Sequence, residues 1–227
     1  MKLRLLFLMA AASVAVASIA PAQASSAQQD WSRSVEVTPE GGFRIGNPNA
    51  PVKLVEYASL TCPHCADFAG QAMGPLVANH VRSGRVSFEF RNYILNGIDV
   101  AASLVARCAD PAAFFPLADR IFATQENWFE RLQALSQAEK DRIVALPPGE
   151  VFAEVARASG LIELAAENGV TAERARQCLA DPAAIGRLEQ MSQAARALGV
   201  EGTPTFFLNG TKLEVNSWPE IEPLLGG

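Results

Sequence analysis

Two cysteines three positions apart, Cys62 and Cys65, are the residues in this sequence best suited to covalent chemistry. They enclose Pro63 and His64, follow an apolar run at 52–58 and precede a helix-like pattern, so we expect them in the first turn of a helix. At that spacing the two sulfurs can form a disulfide with little backbone movement, and an attacking thiolate can open it again. The motif is therefore predicted to act as a reversible two-electron switch.

The four residues of this motif are predicted to be catalytic, each in a different way. Unpaired N–H groups and the helix dipole favour an anion at a helix start, so the Cys62 thiolate should have a pKa below the ordinary value of about 8.5 and act as the attacking sulfur. Cys65, one turn further on, should be more buried and should resolve mixed disulfides. Pro63 is tolerated in a first turn, and His64 can bring a proton donor or positive charge near the thiolate.

Two other interpretations of the cysteine pair are a zinc site and a purely structural disulfide. Zinc generally takes four ligands, whereas the sequence has only His64 and His80 and no second CxxC motif, so no metal is expected. A structural disulfide this short closes a very small loop and constrains the unfolded chain little. Redox chemistry is the interpretation that the residues favour.

The first residues have the features of a secretory signal. Lys2 and Arg4 precede an apolar run over 5–20, and the stretch ending at Ala24 has the small-x-small pattern of a signal-peptidase site. The run is too short and too rich in Ala and Ser for a convincing membrane span, although a retained anchor is the alternative. We expect residues 1–24 to be cleaved and the protein to be exported, in bacteria to the periplasm, where disulfides persist.

The charge of the chain argues against nucleic acid as a partner. The sequence has 19 basic and 24 acidic residues, and removal of a signal carrying two basic residues makes the net charge about −7. A chain of 227 residues with 49% apolar content can bury a sizeable core without help from disulfides.

The remainder of the chain divides into a polar segment and three parts. Residues 25–34 are polar and predicted to be disordered. Residues 35–98 are predicted to form strands around the CPHC helix, which makes a βαβ unit. For residues 99–180 the sequence pattern predicts helices only. Residues 181–227 contain a return helix, a hairpin and a final helix. Strands are predicted at 35–37, 42–45, 52–57, 85–91, 205–208 and 211–215.

Local signals support these elements. Asp110 and Asp181 each precede a proline as a helix N-cap, Ser136 forms a capping box with Glu139, and Asn209-Gly210 marks the hairpin turn. One helical face is predicted to be core; its residues are Phe114, Leu117, Ala118, Ile121 and Phe122.

The exported CPHC motif, the βαβ unit, the helical insertion and the segment Gly202-Thr203-Pro204-Thr205-Phe206 together resemble the DsbA family of periplasmic disulfide oxidoreductases. The resemblance implies an α/β thioredoxin fold, a central mixed β-sheet flanked by helices, with an inserted all-helical subdomain. It also implies that Pro204 is cis and lies against the active-site sulfurs. A cis bond there would expose the Thr203 carbonyl for pairing with an extended substrate. The alternative is a trans proline that begins a strand.

Two further roles depend partly on this resemblance. Family members carry a buried acid at the position of Glu56, which implies proton transfer to or from Cys65, whereas a solvent-facing glutamate is the alternative. Cys108 and Cys178 can pair only with each other once the CPHC pair is assigned, and an oxidising compartment favours a structural disulfide over two buried thiols.

The predicted function is a monomeric thiol oxidase without metal or organic cofactor. It would donate the Cys62–Cys65 disulfide to reduced, unfolded exported proteins and be reoxidised by a membrane partner of the DsbB type, as the resemblance implies. Thr203 leaves the redox role open, because the residue before the cis-proline varies among oxidases, isomerases and reductases. An isomerase or reductase of the same fold, or a holdase that binds unfolded chains, are the alternatives.

Overall fold

The computed structural model describes residues 29–226, in which six strands form one mixed sheet. The strands are β1 (Val35–Val37), β2 (Phe43–Gly46), β3 (Val52–Ala58), β4 (Val86–Asn92), β5 (Thr205–Leu208) and β6 (Thr211–Lys212). Their order across the sheet is β1-β2-β4-β3-β5-β6, and only β3 and β4 run parallel. The parallel pair flanks the CPHC helix, so the predicted βαβ unit is confirmed.

Helices cover the sheet and form the insertion. They are α1 (Pro63–Pro75), α2 (Gly97–Arg107), α3 (Pro111–Ala123), α4 (Gln125–Gln133), α5 (Gln137–Val144), α6 (Pro148–Ser159), α7 (Leu161–Glu167), α8 (Ala172–Leu179), α9 (Pro182–Ala197) and α10 (Trp218–Ile221). A π-helical segment, Leu76–Val81, extends α1, and a 3₁₀ turn, Glu222–Leu225, extends α10. The mixed sheet with an inserted run of helices, α2 to α8, is the predicted fold class.

The core lies between the sheet and α1 to α3. The predicted apolar face of α3 is confirmed, since all five of its residues are buried. The Phe114 ring stacks on Phe43 at 3.7 Å between centroids and contacts Phe90 of β4 at 5.3 Å. On β3, Leu54 and Ala58 face this core, whereas Tyr57 packs on the other face near α9. The alternation places Glu56 on the α1 side of the sheet.

The helix caps follow the sequence prediction with one exception. Ser136 and Glu139 form both hydrogen bonds of the capping box, and Asp181 accepts from the Ala183 N–H at 2.9 Å. Asp110 makes no side-chain cap hydrogen bond, although Pro111 begins α3 as predicted. At the start of α3, the Asp-Pro pair therefore acts through the fixed φ of Pro111 and not through a cap hydrogen bond from Asp110.

Three predictions differ from the structure or lie outside it. The predicted signal peptide, 1–24, lies outside the described residues. The predicted disorder does not hold for 31–34, because the Trp31 N–H donates to the Arg82 carbonyl at 3.1 Å and the Ser34 carbonyl accepts from the N–H of the last β2 residue at 2.9 Å. The last strand ends at Lys212 instead of running to 215. The Leu213 N–H still donates to the Phe206 carbonyl of β5 at 2.8 Å, after which the chain turns to bring Trp218 against the core. Within 29–226, none of the helices combines the length and apolar character needed to cross a membrane.

Candidate active site

The CPHC motif lies at the junction between the end of β3 and the start of α1. Cys62 is the N-cap residue with extended backbone (φ −86°, ψ 121°), and Pro63 is the first helical residue. The Cys62 N–H donates to the Ser59 carbonyl at 3.1 Å, and its carbonyl accepts from the Ala66 N–H at 3.2 Å. Cys65 is fully buried, whereas Cys62 is 5% exposed, which agrees with the predicted order of burial.

The surroundings of Cys62 stabilise its thiolate. The pKa of Cys62 is lowered to about 5, chiefly by a hydrogen bond from the Cys65 side chain and further by the Thr203 side chain and the N–H groups of Cys65 and His64, against the opposing effect of burial. The Thr203 hydroxyl is buried and has no other hydrogen-bond partner in the described part of the chain, so it can donate to the sulfur. Amide donors at the helix start therefore act as the sequence predicted.

Cys65 has the opposite character. Burial raises its pKa strongly, and the hydrogen bond to Cys62 and the charge of Glu56 raise it further. The reduced pair consequently holds one proton, on Cys65, which donates to the Cys62 thiolate. Cys62 and Cys65 form no disulfide in this structure.

His64 affects the thiolate through its backbone. Its side chain is 79% exposed, and Nδ1 lies 3.8 Å from Asp67 Oδ2 on the helix surface. The sequence predicted that the imidazole brings a proton donor or charge to the thiolate, whereas the His64 group that stabilises the Cys62 thiolate is the main-chain N–H. The reason is geometric, since the second helical residue points outward while its N–H points toward the N-cap.

Glu56 is buried, so the alternative of a solvent-facing glutamate is wrong. It is 3% exposed, and its Oε1 atom has no hydrogen-bond partner in the described part of the chain. Burial, then the nearby charges of Cys62 and Asp119, raise its pKa well above the usual range. Glu56 is therefore protonated under conditions in which an exposed glutamate is charged.

The segment before β5 approaches Cys62. The Thr203–Pro204 peptide bond is cis, as predicted, and Pro204 is buried. The Cys62 Sγ lies 3.3 Å from the Thr203 carbonyl oxygen. The fold thus brings Thr203 to Cys62, which is 141 positions away in the sequence.

Three polar residues of the insertion near this site were not predicted from the sequence; Asp99 and Gln125 are buried and Asp119 is half-buried. Asp99 accepts from the Leu60 N–H at 3.0 Å, and burial raises its pKa to about 6. Asp119 lies on α3, where burial raises its pKa to about 7. Gln125 donates to the Cys62 carbonyl at 3.2 Å. An acid beside the apolar stripe of α3 was a visible signal for Asp119, but nothing in the local sequence connects Asp99 or Gln125 with the CPHC motif.

A groove opens beside the exposed face of α1. It has a volume of about 370 Å³ and runs between α1 and the segment that leads into α10. Its lining residues are His64, Asp67, Phe68, Gln71, Asn216, Ser217 and Trp218. The groove offers an apolar floor and polar walls next to the site.

The second cysteine pair is remote from this chemistry. Cys108 at the end of α2 and Cys178 in α8 form a disulfide with a Cα–Cα distance of 5.9 Å, the pairing that the sequence predicted. The bond connects two helices of the insertion. Among residues 29–226 there is no group of three or more histidine, cysteine or acidic side chains that could hold a metal ion.

Comparisons with known proteins agree with this arrangement. A relative from Rickettsia bellii, provisionally named a protein-disulfide oxidoreductase, is 27% identical over 77% of this chain, and the chain spans 60% of that relative and 55% of a second from Rickettsia prowazekii. The crystal structure of a protein-disulfide isomerase from Novosphingobium aromaticivorans has a TM-score of 0.74 at 28% identity, covering 81% of this chain and 97% of that one. Wolbachia pipientis α-DsbA1 has the same fold, with a TM-score of 0.66 at 19% identity over 83% of this chain and 90% of that one. The thioredoxin family model matches residues 38–225. The chain therefore belongs to the thioredoxin family and has a DsbA-like fold.

Proposed function

We propose that this protein is a thiol:disulfide oxidoreductase that donates a Cys62–Cys65 disulfide to reduced, unfolded exported proteins. The observation that carries the proposal is the unequal pair of sulfurs: the pKa of Cys62 is lowered to about 5, whereas that of its neighbour is raised. A stabilised thiolate favours the reduced form of the pair, so the corresponding disulfide is a strong oxidant.

The reaction consists of two exchanges. A substrate thiolate attacks Cys62 Sγ, the bond to Cys65 breaks, and a mixed disulfide forms with Cys65 as the leaving thiolate. A second substrate thiolate then attacks the substrate sulfur of the mixed disulfide and releases Cys62 as a thiolate. The substrate gains a disulfide, and the protein gains two electrons.

Glu56 supplies the proton that the leaving sulfur needs. Because its pKa is raised, Glu56 holds a proton that it can give to the buried Cys65 thiolate, and it then regains a proton from solvent. The product is the reduced pair with a thiol at Cys65 and a thiolate at Cys62, as the pKa directions of the two sulfurs require. The Thr203 carbonyl and the adjoining groove beside α1 receive the substrate backbone and side chains.

The cellular setting belongs to the same proposal. The predicted export signal and the Cys108–Cys178 disulfide favour the periplasm, where a membrane oxidase of the DsbB type would reoxidise the monomeric protein. No metal or organic cofactor and no nucleic acid takes part.

The test is oxidation of a reduced, unfolded secreted protein by the pre-oxidised protein, with no other oxidant in the buffer. The oxidised protein should form disulfides in the substrate stoichiometrically, and a Cys62→Ser variant should form none. A Cys62→Ser variant that oxidises the substrate as well as the wild type contradicts the proposal.

Isomerase activity is a second candidate, favoured by the relative from Novosphingobium, which is named a protein-disulfide isomerase and is 28% identical. An isomerase works from the reduced state and rescues a scrambled substrate without net oxidation. Rescue of scrambled ribonuclease by the reduced protein, at a rate equal to or above oxidation by the disulfide form, would favour this candidate.

A further inference from the structure

The loop between β3 and α1 is held by side chains of the helical insertion. The Leu60 N–H donates to Asp99 Oδ1 at 3.0 Å. At the start of α4, Gln125 Nε2 donates to two carbonyl oxygens of this loop, that of Leu60 at 2.9 Å and that of Cys62 at 3.2 Å. One amide group therefore contacts the active-site cysteine and the residue two positions before it.

Gln125 is built into this position. It is 9% exposed, and Leu60 is fully buried. A buried carbonyl that loses its donor is destabilising, so the loop would shift or admit water if the amide were removed. The Cys62 carbonyl would keep its helical partner, the Ala66 N–H at 3.2 Å, but the loop before it would lose a fixed point.

We propose that Gln125 is a positioning residue that holds Cys62 where its sulfur meets Thr203 and the N–H groups of α1. The helical insertion thereby sets the reactivity of the cysteine, a role that deepens and rests on the proposed oxidoreductase function. The carbonyl that Gln125 binds and the sulfur belong to one residue, so a shift of that carbonyl also moves the sulfur relative to its backbone donors, the N–H groups of His64 and Cys65. The thiolate is stabilised less as its distances to these N–H groups increase.

The test compares two glutamines of the same helix. Gln125→Met keeps the length of the side chain and removes its donor, whereas Gln133→Met changes an exposed residue at the end of α4 and serves as the control. The Cys62 thiolate is titrated by its ultraviolet absorbance in the reduced full-length protein. We expect Gln125→Met to raise the pKa of Cys62 by about one unit and to shift the glutathione equilibrium about tenfold toward the disulfide, which corresponds to roughly 30 mV.

A second variant, Gln125→Glu, keeps the test decisive if Gln125→Met does not fold. Gln125→Glu keeps the size of the side chain, and circular dichroism verifies the fold of all three variants. Above its own pKa the new carboxylate repels both carbonyl oxygens and the nearby thiolate, so the pKa of Cys62 should rise by more than in Gln125→Met.

The inference fails if folded Gln125→Met and Gln125→Glu both titrate Cys62 like the Gln133→Met control. This measurement needs no turnover, so a failure of the inference can be distinguished from a failure of the proposed function. Wild-type protein that does not oxidise substrates would defeat the function, while the comparison of thiolate pKa values would still decide the role of Gln125.

Discussion

The lowered pKa of Cys62 makes the stability of the reduced protein depend on pH. The pKa of the thiol falls from 9.0 to about 5 on folding, so the folded protein loses the Cys62 proton at a lower pH than the unfolded chain. Such a group stabilises the fold most fully above the unfolded pKa, and its contribution is lost as pH falls through the folded pKa. The window therefore runs from about pH 9 down to about pH 5.

Replacement of Cys62 by serine should remove this contribution. Between pH 5 and pH 9 each pH unit changes the free energy of unfolding by about 1.4 kcal/mol. Ionisation of Cys62 therefore contributes roughly 2.7 kcal/mol to stability at pH 7 and about 0.4 kcal/mol at pH 5, before solvent screening is considered. Cys62 keeps a small exposed area, and solvent screening reduces the difference between the two pH values to about 1–2 kcal/mol. The wild type should gain that much over Cys62→Ser between pH 5 and pH 7.

The assay is denaturant unfolding of both reduced proteins at pH 5, 6 and 7 in excess reductant. Both carry Cys108 and Cys178, so reduction of that disulfide affects them equally. A difference in unfolding free energy that is the same at pH 5 and pH 7 would refute the argument, because it would mean that the thiol ionises alike in the folded and unfolded chains.

Three other perturbations have distinct expected results. Cys65→Ala should raise the pKa of Cys62 by more than Cys65→Ser, because serine can still donate to the thiolate; the pH dependence of alkylation measures this, and equal pKa values would contradict it. Glu56→Gln should stabilise the oxidised protein increasingly as pH rises above 4.5, by up to about 1.4 kcal/mol per pH unit, because the wild-type glutamate must take up a proton on folding and glutamine need not. Denaturant titrations at several pH values measure this difference, and a difference that does not change with pH would count against it. Removal of the Cys108–Cys178 disulfide, which closes a separation of 70 residues, should lower stability by about 4 kcal/mol without moving the Cys62 titration, and a shifted titration would show that the bond also shapes the site.

The parts of the site that were predictable are those encoded locally or in an ordered motif. The spacing of Cys62 and Cys65 before a helix determines which sulfur meets the amide groups and which is buried. The resemblance identified Pro204 as cis because a threonine-proline pair before a hairpin follows the CPHC motif. The disulfide between Cys108 and Cys178 followed from counting, since two cysteines were left over.

The parts that were not predictable depend on packing between distant elements. Gln125 and Asp99 reach the loop before Cys62 only because α2 and α4 fold back on it, and no local pattern reports that contact. The alternatives for Glu56 could be decided only when the face of β3 that carries α1 was known. The outward direction of the His64 side chain likewise depends on the rotation of α1 against the sheet.

The most direct test of the central claim is the redox equilibrium of the Cys62–Cys65 pair against glutathione. Because the reduced form is stabilised by the Cys62 thiolate, the reduction potential should lie well above the value of about −270 mV that is typical of thioredoxin. A potential at or below that value would contradict the account, since it would mean that the site retains its disulfide instead of donating it.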